Sequence, residues 1–248
     1  MRSAAELRSV LDLVGASKSD SEVARLTGIP RTTVRDWRRG SRASIERRPA
    51  SSQRCLYTHE FSRLPSSEYA YLLGEYLGDG YLARCRGGVW QLRISTDALY
   101  PGIIRECGLA MEAIMPRKRA HTLPRGPRCV VVSMYSKHWP CLFPQHGPGR
   151  KHERVIRLEV WQEQLIQRDR ETFIRGLIHS DGCRVIASDR GVKSVRYHFS
   201  NRSEDIKALL CESLDAFGIP WTRPSDRQIA IYRKDAVGRL DQFVGPKR

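Results

Sequence analysis

The sequence predicts an α+β protein in which a small all-α unit precedes a larger unit that consists of two similar halves. The main observation is a nonapeptide: LLGEYLGDG at residues 72–80 returns as IRGLIHSDG at residues 174–182. Strands and amphipathic helices follow both copies in the same order, which is the pattern of an internal duplication. Near the N-terminus, two short helical patterns flank a Gly-Ile-Pro break, which indicates a separate helical unit.

The chain is strongly basic. It has 43 Lys and Arg against 27 Asp and Glu, a formal net charge of +16, and the basic residues are spread along its length. This balance favours a polyanionic partner, with nucleic acid first and an anionic membrane surface second. The N-terminal segment mixes charged and apolar residues, unlike a signal peptide, and no apolar run is long enough to span a bilayer. The seven scattered cysteines contain no C-x-x-C pair, which argues against a disulfide framework or zinc site.

Residues 1–40 are predicted to form a helix-turn-helix domain. Ser21 is the expected N-cap of the first helix, which turns Val23, Ala24 and Leu26 inward. The Gly-Ile-Pro segment at 28–30 breaks this helix, and a second helix runs from about 31 to 39. In this motif the second helix occupies the major groove of DNA.

The second helix of this unit carries the predicted DNA contacts. Val34 and Trp37 lie three residues apart and are expected to form the core of the unit. The residues predicted to face bases are Arg31, Thr32, Thr33 and Arg35, with Arg38 and Arg39 near phosphates. The alternative is a helical hairpin with a solvated basic face. Residues 41–63 are rich in Ser and Arg and poor in apolar residues, so they are predicted to be a linker.

Residues 64–248 form the predicted duplicated domain, with halves at about 64–160 and 161–248. Corresponding landmarks stay in order and lie between 96 and 105 residues apart. The matched segments are 90–96 with 195–201, 97–114 with 203–219, 129–137 with 228–234, and 147–151 with 245–247. Chance similarity would not keep this order through successive elements.

Each nonapeptide is predicted to end a helix. The expected N-caps are Ser66 or Ser67 in the first copy and Asp169 in the second. Small residues stand four apart, Gly74 with Gly78 and Gly176 with Ser180, so each pair lies on one helix face. A face without large side chains allows close backbone approach, so we expect the two helices to pack on each other along a pseudo-twofold axis.

The acids at the ends of these helices indicate a metal-binding site. Asp79 and Asp181 stand at helix C-termini, where the helix dipole disfavours a negative charge by about 0.3–1 kcal/mol. Close helix packing adds repulsion between the two carboxylates. A divalent cation would relieve both costs, because carboxylate and carbonyl oxygens are hard ligands that suit Mg²⁺. In a basic protein this favours phosphodiester hydrolysis by metal-activated water.

The two nonapeptides resemble the motifs of single-chain LAGLIDADG homing endonucleases, with the Gly, the small residue and the Asp-Gly in register in both copies. The resemblance extends from about residue 64 to the C-terminus. It implies two αββαββα halves whose antiparallel sheets form a saddle over double-stranded DNA, each half cutting one strand. It also implies that Mg²⁺ or Mn²⁺ binds at Asp79 and Asp181, with Gly78 and Ser180 as adjoining metal-binding positions.

Further site residues follow from the same resemblance. The family uses a basic residue after the later strands, which Lys151 and Lys247 match by position. It also uses a polar residue near the end of the second strand, which is Thr96 or Asp97 in the first half and Asn201 in the second. Two motif positions depart from the family: Glu75 replaces an apolar residue, and His179 stands where an acid is common. Both are expected to be peripheral to the metal site.

Alternation along the second strand of each half predicts a polar face toward DNA. The predicted base-reading residues are Gln91, Arg93 and Ser95 in the first half, and Arg196, His198 and Ser200 in the second. The residues between them are expected to turn toward the helices: Leu92, Ile94, Tyr197 and Phe199.

The leading hypothesis is a site-specific, Mg²⁺-dependent DNA endonuclease. The same fold joined to a helix-turn-helix occurs in bacterial transcription regulators, so a DNA-binding protein that does not cut is the alternative. A third reading is an RNA splicing cofactor with structured RNA as its partner. The acid pair favours the nuclease, while the N-terminal unit favours the regulator. We expect a cytoplasmic, nucleoid-associated bacterial protein without a membrane partner, and a monomer because two halves already supply the twofold pair.

Overall fold

A computed structural model of the chain describes residues 4–16, 18–38, 60–189, 191–245 and 247. The chain divides into two compact units, residues 1–54 and residues 55–248. Most of the predicted linker at 41–63 lies outside the described residues. Its end, Phe61–Arg63, forms a 3-10 turn, and Phe61 stacks on Trp161 with 4.0 Å between ring centroids. This end of the predicted linker therefore belongs to the second unit.

The first unit contains three described helices, α1 (Ala4–Gly15), α2 (Asp20–Thr27) and α3 (Arg31–Arg38). They enclose a small core of Leu7, Val10, Val23, Ile29, Val34 and Trp37. The predicted core role of Val34 and Trp37 is confirmed.

Two details of α2 correct the sequence prediction. The N-cap is Ser19 and not Ser21, because Ser19 and Glu22 form a reciprocal capping box that starts the helix at Asp20. Leu26 is 56% exposed and does not face the core. After Gly28, which has a φ of +67°, the chain turns and Ile29 packs into the core instead.

The second unit repeats one order of elements. Its first half runs α4 (Ser66–Asp79), β1 (Gly80–Arg84), β2 (Trp90–Asp97), α5 (Pro101–Ile114), β3 (His121–Pro124), β4 (Cys129–Ser136) and α6 (Trp139–Leu142). After α7 (Val160–Arg168), the second half runs α8 (Arg170–Asp181), β5 (Gly182–Asp189), β6 (Val192–Ser200), α9 (Glu204–Asp215), β7 (Thr222–Ser225), β8 (Gln228–Ile231) and α10 (Lys234–Phe243). The antiparallel sheets have the equivalent orders β1-β2-β4-β3 and β5-β6-β8-β7. The duplicated αββαββα fold is confirmed.

Each sheet buries one face against helices. Leu92 and Ile94 on β2, and Tyr197 and Phe199 on β6, are fully buried, as the alternation predicted. They belong to one continuous core that also contains the apolar residues of α4 and α8. No helix within the described ranges has both the length and the apolar character needed to cross a membrane.

Helices α4 and α8 touch through their backbones. A Cβ added to Gly74 would lie 2.6 Å from the backbone nitrogen of Leu177, and one added to Gly176 would overlap the carbonyl oxygen of Tyr71. A Cβ on Gly78 would overlap the Ser180 side chain. The predicted close approach of the two motif helices is therefore confirmed.

The predicted N-cap of α4 is wrong, whereas that of α8 is confirmed in position but makes no side-chain cap. Pro65 occupies the N-cap position of α4, and no side chain caps that helix. Asp169 occupies the N-cap position of α8, but its carboxylate makes no capping bond. Its backbone N–H bonds to carbonyls of α7, so Asp169 also ends the preceding helix. Ser67 instead lies 3.4 Å from the Thr172 hydroxyl on the neighbouring helix.

Candidate active site

The C-termini of α4 and α8 bring the two motif acids together. A Cβ on Gly78 would lie 3.1 Å from the carboxyl carbon of Asp181, so the end of one helix contacts the acid of the other. Surrounding protein and the Asp181 charge raise the pKa of Asp79 to about 6, although Asp79 remains accessible to solvent. Burial also raises the pKa of Asp181. Both shifts identify a site where negative charge is poorly compensated by the protein alone.

Two lysines cap the same helix ends. The Lys151 ammonium donates hydrogen bonds to the carbonyls of Tyr76, Leu77 and Gly78, at 2.5, 2.9 and 2.7 Å. The Lys247 ammonium donates to the Ser180 carbonyl at 3.1 Å. Burial lowers the pKa of Lys151 to about 8 and also lowers that of Lys247. Each lysine places positive charge at the negative end of a helix dipole, next to an acid.

The polar residues at the ends of β2 and β6 differ between the halves. Asn201 donates from Nδ2 to Oδ2 of Asp181 at 2.5 Å, and its Oδ1 accepts from the Ser203 backbone at 2.7 Å. Asp97 forms the same local turn, because its Oδ1 accepts from the Leu99 backbone at 3.0 Å. Its second oxygen accepts from Arg128 at 3.0 Å.

Two criteria align the halves differently at this point. Strand pairing aligns Asn201 with Thr96, since Gly80 pairs with Ile94 and Gly182 with Phe199, whereas the side-chain turn aligns Asn201 with Asp97. The backbone of Leu99 and the Arg128 charge lower the pKa of Asp97, so its carboxyl group stays ionised and cannot donate to Asp79 as Asn201 donates to Asp181.

A small cavity lies beside Asp79. Its volume is about 320 Å³, and its walls include Asp79, Thr96, Asp97, Ser180 and Lys247. His179, Tyr100 and Arg128 also line this cavity. The structure thus brings residues of both halves into one cavity beside Asp79. Lys247 also lies 5.8 Å from the centre of the Tyr100 ring.

The predicted base-reading residues lie on the sheet faces opposite the core, where several are held by neighbours. Gln91 is 8% exposed; it donates to Ser133 and accepts from Arg93 at 2.8 Å. His198 lies 3.0 Å from the Gln228 amide, and the Arg196 guanidinium lies 5.1 Å from the centre of the Tyr232 ring. Ser95 and Ser200 are exposed at the strand ends.

Sequence reasoning missed the aromatic residues on these faces. Tyr135, which is 46% exposed, pairs across the sheet with Gln91, and Tyr232 follows β8. Alternation could have found Tyr135, because it follows the buried Met134 on β4.

The residues predicted to contact DNA through α3 differ in their accessibility. Arg31, Thr32 and Arg35 are exposed on α3, and Thr33 is half-buried. Arg38 pairs with Asp20 at 2.7 Å and also donates to the Lys18 carbonyl, so its guanidinium is held within the unit. Arg39 lies outside the described residues.

Glu75 is a buried acid on the face of the motif helix. It is 1% exposed, and its Oε1 has no hydrogen-bond partner among the described residues. Burial raises its pKa to about 8. Tyr71, beside it, places its hydroxyl 3.1 Å from Nδ1 of His179, whose pKa burial lowers to about 4. Glu75 and His179 therefore lie in a buried polar cluster behind the acid pair.

Glu75→Gln is expected to raise the free energy of unfolding at pH 8 by roughly 4 kcal/mol and to leave it unchanged below pH 4.5. The carboxyl group has a pKa of 4.5 when unfolded and about 8 when folded, so unfolding releases a proton between these values. Stability therefore falls as pH rises from 4.5 to 8, and glutamine removes this penalty. Urea unfolding in EDTA at several pH values measures it.

The control for this prediction is Glu106→Gln. Glu106 accepts from Arg175 at 2.7 Å, so its replacement removes a charged partner and is expected to destabilise the protein. If the Glu75→Gln and wild-type proteins have the same pH dependence, Glu75 is not a buried neutral acid.

The donor set at the acid pair fits a hard divalent cation. No cluster of three His, Cys, Asp or Glu side chains that could hold a metal occurs within the described ranges. Asp79 and Asp181 offer carboxylate oxygens, and the Gly78 and Ser180 carbonyls each retain a lone pair beyond the bond from lysine. Few protein ligands, all of them oxygen, suit Mg²⁺, which usually keeps several waters.

The chain resembles solved structures of LAGLIDADG proteins, at low sequence identity. Two are of the homing endonuclease I-DmoI. A mesophilic variant is 15% identical and the match covers 72% of this chain and 96% of that chain, with a TM-score of 0.49. A complex with DNA and Mn is 16% identical, with coverage of 72% and 97% and a TM-score of 0.48.

The third is the N-terminal LAGLIDADG domain of DUF199/WhiA, at 16% identity, with coverage of 76% and 89% and a TM-score of 0.45. No model of a known protein family matches the chain. No curated protein matches it either. The likeness to the solved structures is one of fold and assigns no activity.

Proposed function

We propose that this protein is a site-specific, divalent-metal-dependent endonuclease of double-stranded DNA. The observation that carries the proposal is the pairing of Asp79 with Asp181 at touching helix ends, where Lys151 and Lys247 cap the same two helices. A protein that only binds DNA gains nothing from two acids crowded together at such a position, since they repel the phosphates. The resemblance of the nonapeptides to LAGLIDADG motifs and the net charge of +16 support the same function.

Each residue of the proposed site has its own role. Asp79 and Asp181 hold Mg²⁺ or Mn²⁺, with the Gly78 and Ser180 carbonyls beside them. When bound, the cation supplies activation of water and charge stabilisation at the leaving oxygen.

Lys151 and Lys247 stabilise negative charge on the phosphate from the helix ends. Asn201 holds the Asp181 carboxylate in one orientation through its 2.5 Å hydrogen bond. The polar faces of β2 and β6 bind the duplex, and each half cuts one strand.

The test is cleavage of plasmids that carry the DNA flanking the gene, with Mg²⁺ or Mn²⁺ and with EDTA as the control. Discrete cuts that need the metal are the expected result. DNA that is bound but remains uncut with both metals would overturn the nuclease and favour a regulator. Competition by structured RNA that exceeds competition by duplex DNA would favour an RNA partner instead.

The regulator is the second candidate, and the asymmetry of the site favours it. In the second half Asn201 orients Asp181, whereas in the first half Arg128 engages Asp97 and no described side chain hydrogen-bonds to the Asp79 carboxylate. The two acids are therefore not held alike, as two matched cutting sites would require. Under this candidate the chain retards duplex DNA without nicking it under any divalent ion.

The N-terminal unit adds DNA contacts through α3 in either candidate. Arg35→Ala is expected to weaken duplex binding about tenfold, because one good contact to a base edge contributes about 1–3 kcal/mol. Arg25→Ala, which removes an exposed arginine from α2, is the charge-matched control. Fluorescence anisotropy with labelled duplex measures both, and equal effects of the two variants would contradict a recognition role for α3.

A further inference from the structure

A second, larger cavity lies in the first half of the duplicated unit. Its volume is about 610 Å³, within the range of about 300–1,000 Å³ typical of small-molecule sites. The side chains that define it are Tyr76, Arg84, Trp90, Arg150, Lys151 and Arg154. They come from α4, from the β1–β2 hairpin and from the segment that follows α6. Neither the acid pair nor the predicted base-reading residues line it.

The cavity is basic. Four of its lining residues are Arg or Lys, and none is Asp or Glu. Arg154 donates from Nη1 to the carbonyls of Gly147, Pro148 and Gly149, while its buried Nε has no partner among the described residues. Arg84 and Arg150 form no side-chain ion pair within the described ranges. Arg154 therefore holds the cavity wall, and the donors accessible to an anion are on the exposed guanidinium groups of Arg84 and Arg150.

An aromatic side chain accompanies these donors. Trp90 is half-buried and meets the His146 ring at 5.2 Å between centroids, with 76° between the planes. Arg84 is its partner across the β1–β2 ladder. A tryptophan beside a guanidinium suits a planar base, because both can stack on a π-face.

The second half lacks this arrangement. The equivalent cross-strand pair on β5 and β6 is Ile186 with Val195, four residues beyond the Gly182–Phe199 pair. The fold therefore does not require an arginine and a tryptophan at Arg84 and Trp90. They are a property of the first half alone.

We propose that this cavity binds a single nucleotide, with its phosphate at Arg84 and Arg150 and its base against Trp90. The nucleotide is either free in solution or an unpaired nucleotide of a bound DNA strand. The chemistry recognised is the same in both cases. The proposal does not depend on strand cleavage.

Isothermal titration of the full chain with each deoxynucleoside monophosphate tests the proposal, with inorganic phosphate and the nucleosides as comparison ligands. Saturable binding of the monophosphate is expected, tighter than that of phosphate or nucleoside. The Arg84→Ala/Arg150→Ala variant is expected to bind at least tenfold more weakly, and Trp90→Leu at least fivefold. Arg117→Ala/Arg125→Ala, which removes two exposed arginines outside the cavity, is expected to bind like the wild type.

A second arm separates the two sources of the nucleotide. Anisotropy compares a fully paired duplex with a duplex that carries a one-nucleotide bulge. A preference for the bulge that disappears in Arg84→Ala/Arg150→Ala identifies the DNA strand as the source; equal binding of the two duplexes, with binding of free monophosphate, identifies the free nucleotide.

Three outcomes would overturn the proposal: no nucleotide binding in either arm, phosphate binding as tightly as the nucleotide, or the arginine control behaving like Arg84→Ala/Arg150→Ala. Thermal melting of each variant verifies that it is folded. Because the titration needs no cleavage, its result is independent of whether the nuclease activity exists.

Discussion

Asp79→Asn and Asp181→Asn are each expected to lower the cutting of one DNA strand by at least a hundredfold, while the other strand is still cut. Asparagine keeps the shape of the side chain but removes the charge that would hold the cation in the proposed site, and a metal contributes several kcal/mol of charge stabilisation in such reactions. Supercoiled plasmid should therefore accumulate as nicked circles instead of linear DNA. Denaturing gels with each strand labelled separately would show which strand depends on which acid.

The matched control is Glu163→Gln, an exposed carboxylate on α7. It should linearise plasmid at the wild-type rate. DNA binding by both aspartate variants should be equal to that of the wild type or tighter, since a charge that repels phosphate has been removed. If a variant of either acid linearises plasmid at the full rate, that acid is not part of the catalytic site.

Gly176→Ala is expected to reduce the free energy of unfolding by about 3 kcal/mol or more. Its Cβ would overlap the carbonyl oxygen of Tyr71 and lie 3.1 Å from the Cα of Gly74, both backbone atoms of the neighbouring helix. Overpacking of this kind costs about 1–3 kcal/mol where side chains can adjust, and more where only backbone can move. Circular dichroism during urea unfolding measures the change.

Gly238→Ala is the control for this prediction. Gly238 lies inside α10, and a Cβ there meets nothing within 4 Å. Alanine in an open helical position should stabilise the protein by about 0.5–1 kcal/mol. The same substitution is thus expected to act with opposite signs at the two sites. A Gly176→Ala protein as stable as the wild type would mean that the helices can separate without cost.

Much of the fold was predictable because its signals are local and repeated. Small residues four apart in both nonapeptides predicted the helix contact, and strict alternation predicted the buried faces of β2 and β6. The Ser19 cap could also have been predicted from the sequence, because Glu22 stands three residues later and completes a capping box that Ser21 lacks.

The remaining features depend on contacts between distant parts of the chain. Lys151 caps a helix that ends more than seventy positions earlier in the sequence. Its place in the repeat predicted a site residue, but nothing in the sequence predicted its hydrogen bonds to the end of that helix. The burial of Glu75 follows from what α5 and α8 place around it. The cavity beside Trp90 needs the segment at 146–154 to fold back onto β1. No local pattern encodes these three arrangements.

The backbone contact between α4 and α8 has a consequence for the geometry of cutting. Because both acids end helices that touch at Gly74 and Gly176, the distance between the two acids cannot change without separating the halves. In a cleaving enzyme the two cuts are then a fixed number of base pairs apart, whatever the sequence between them. The overhang left on the DNA would be a constant of the protein and not of its target.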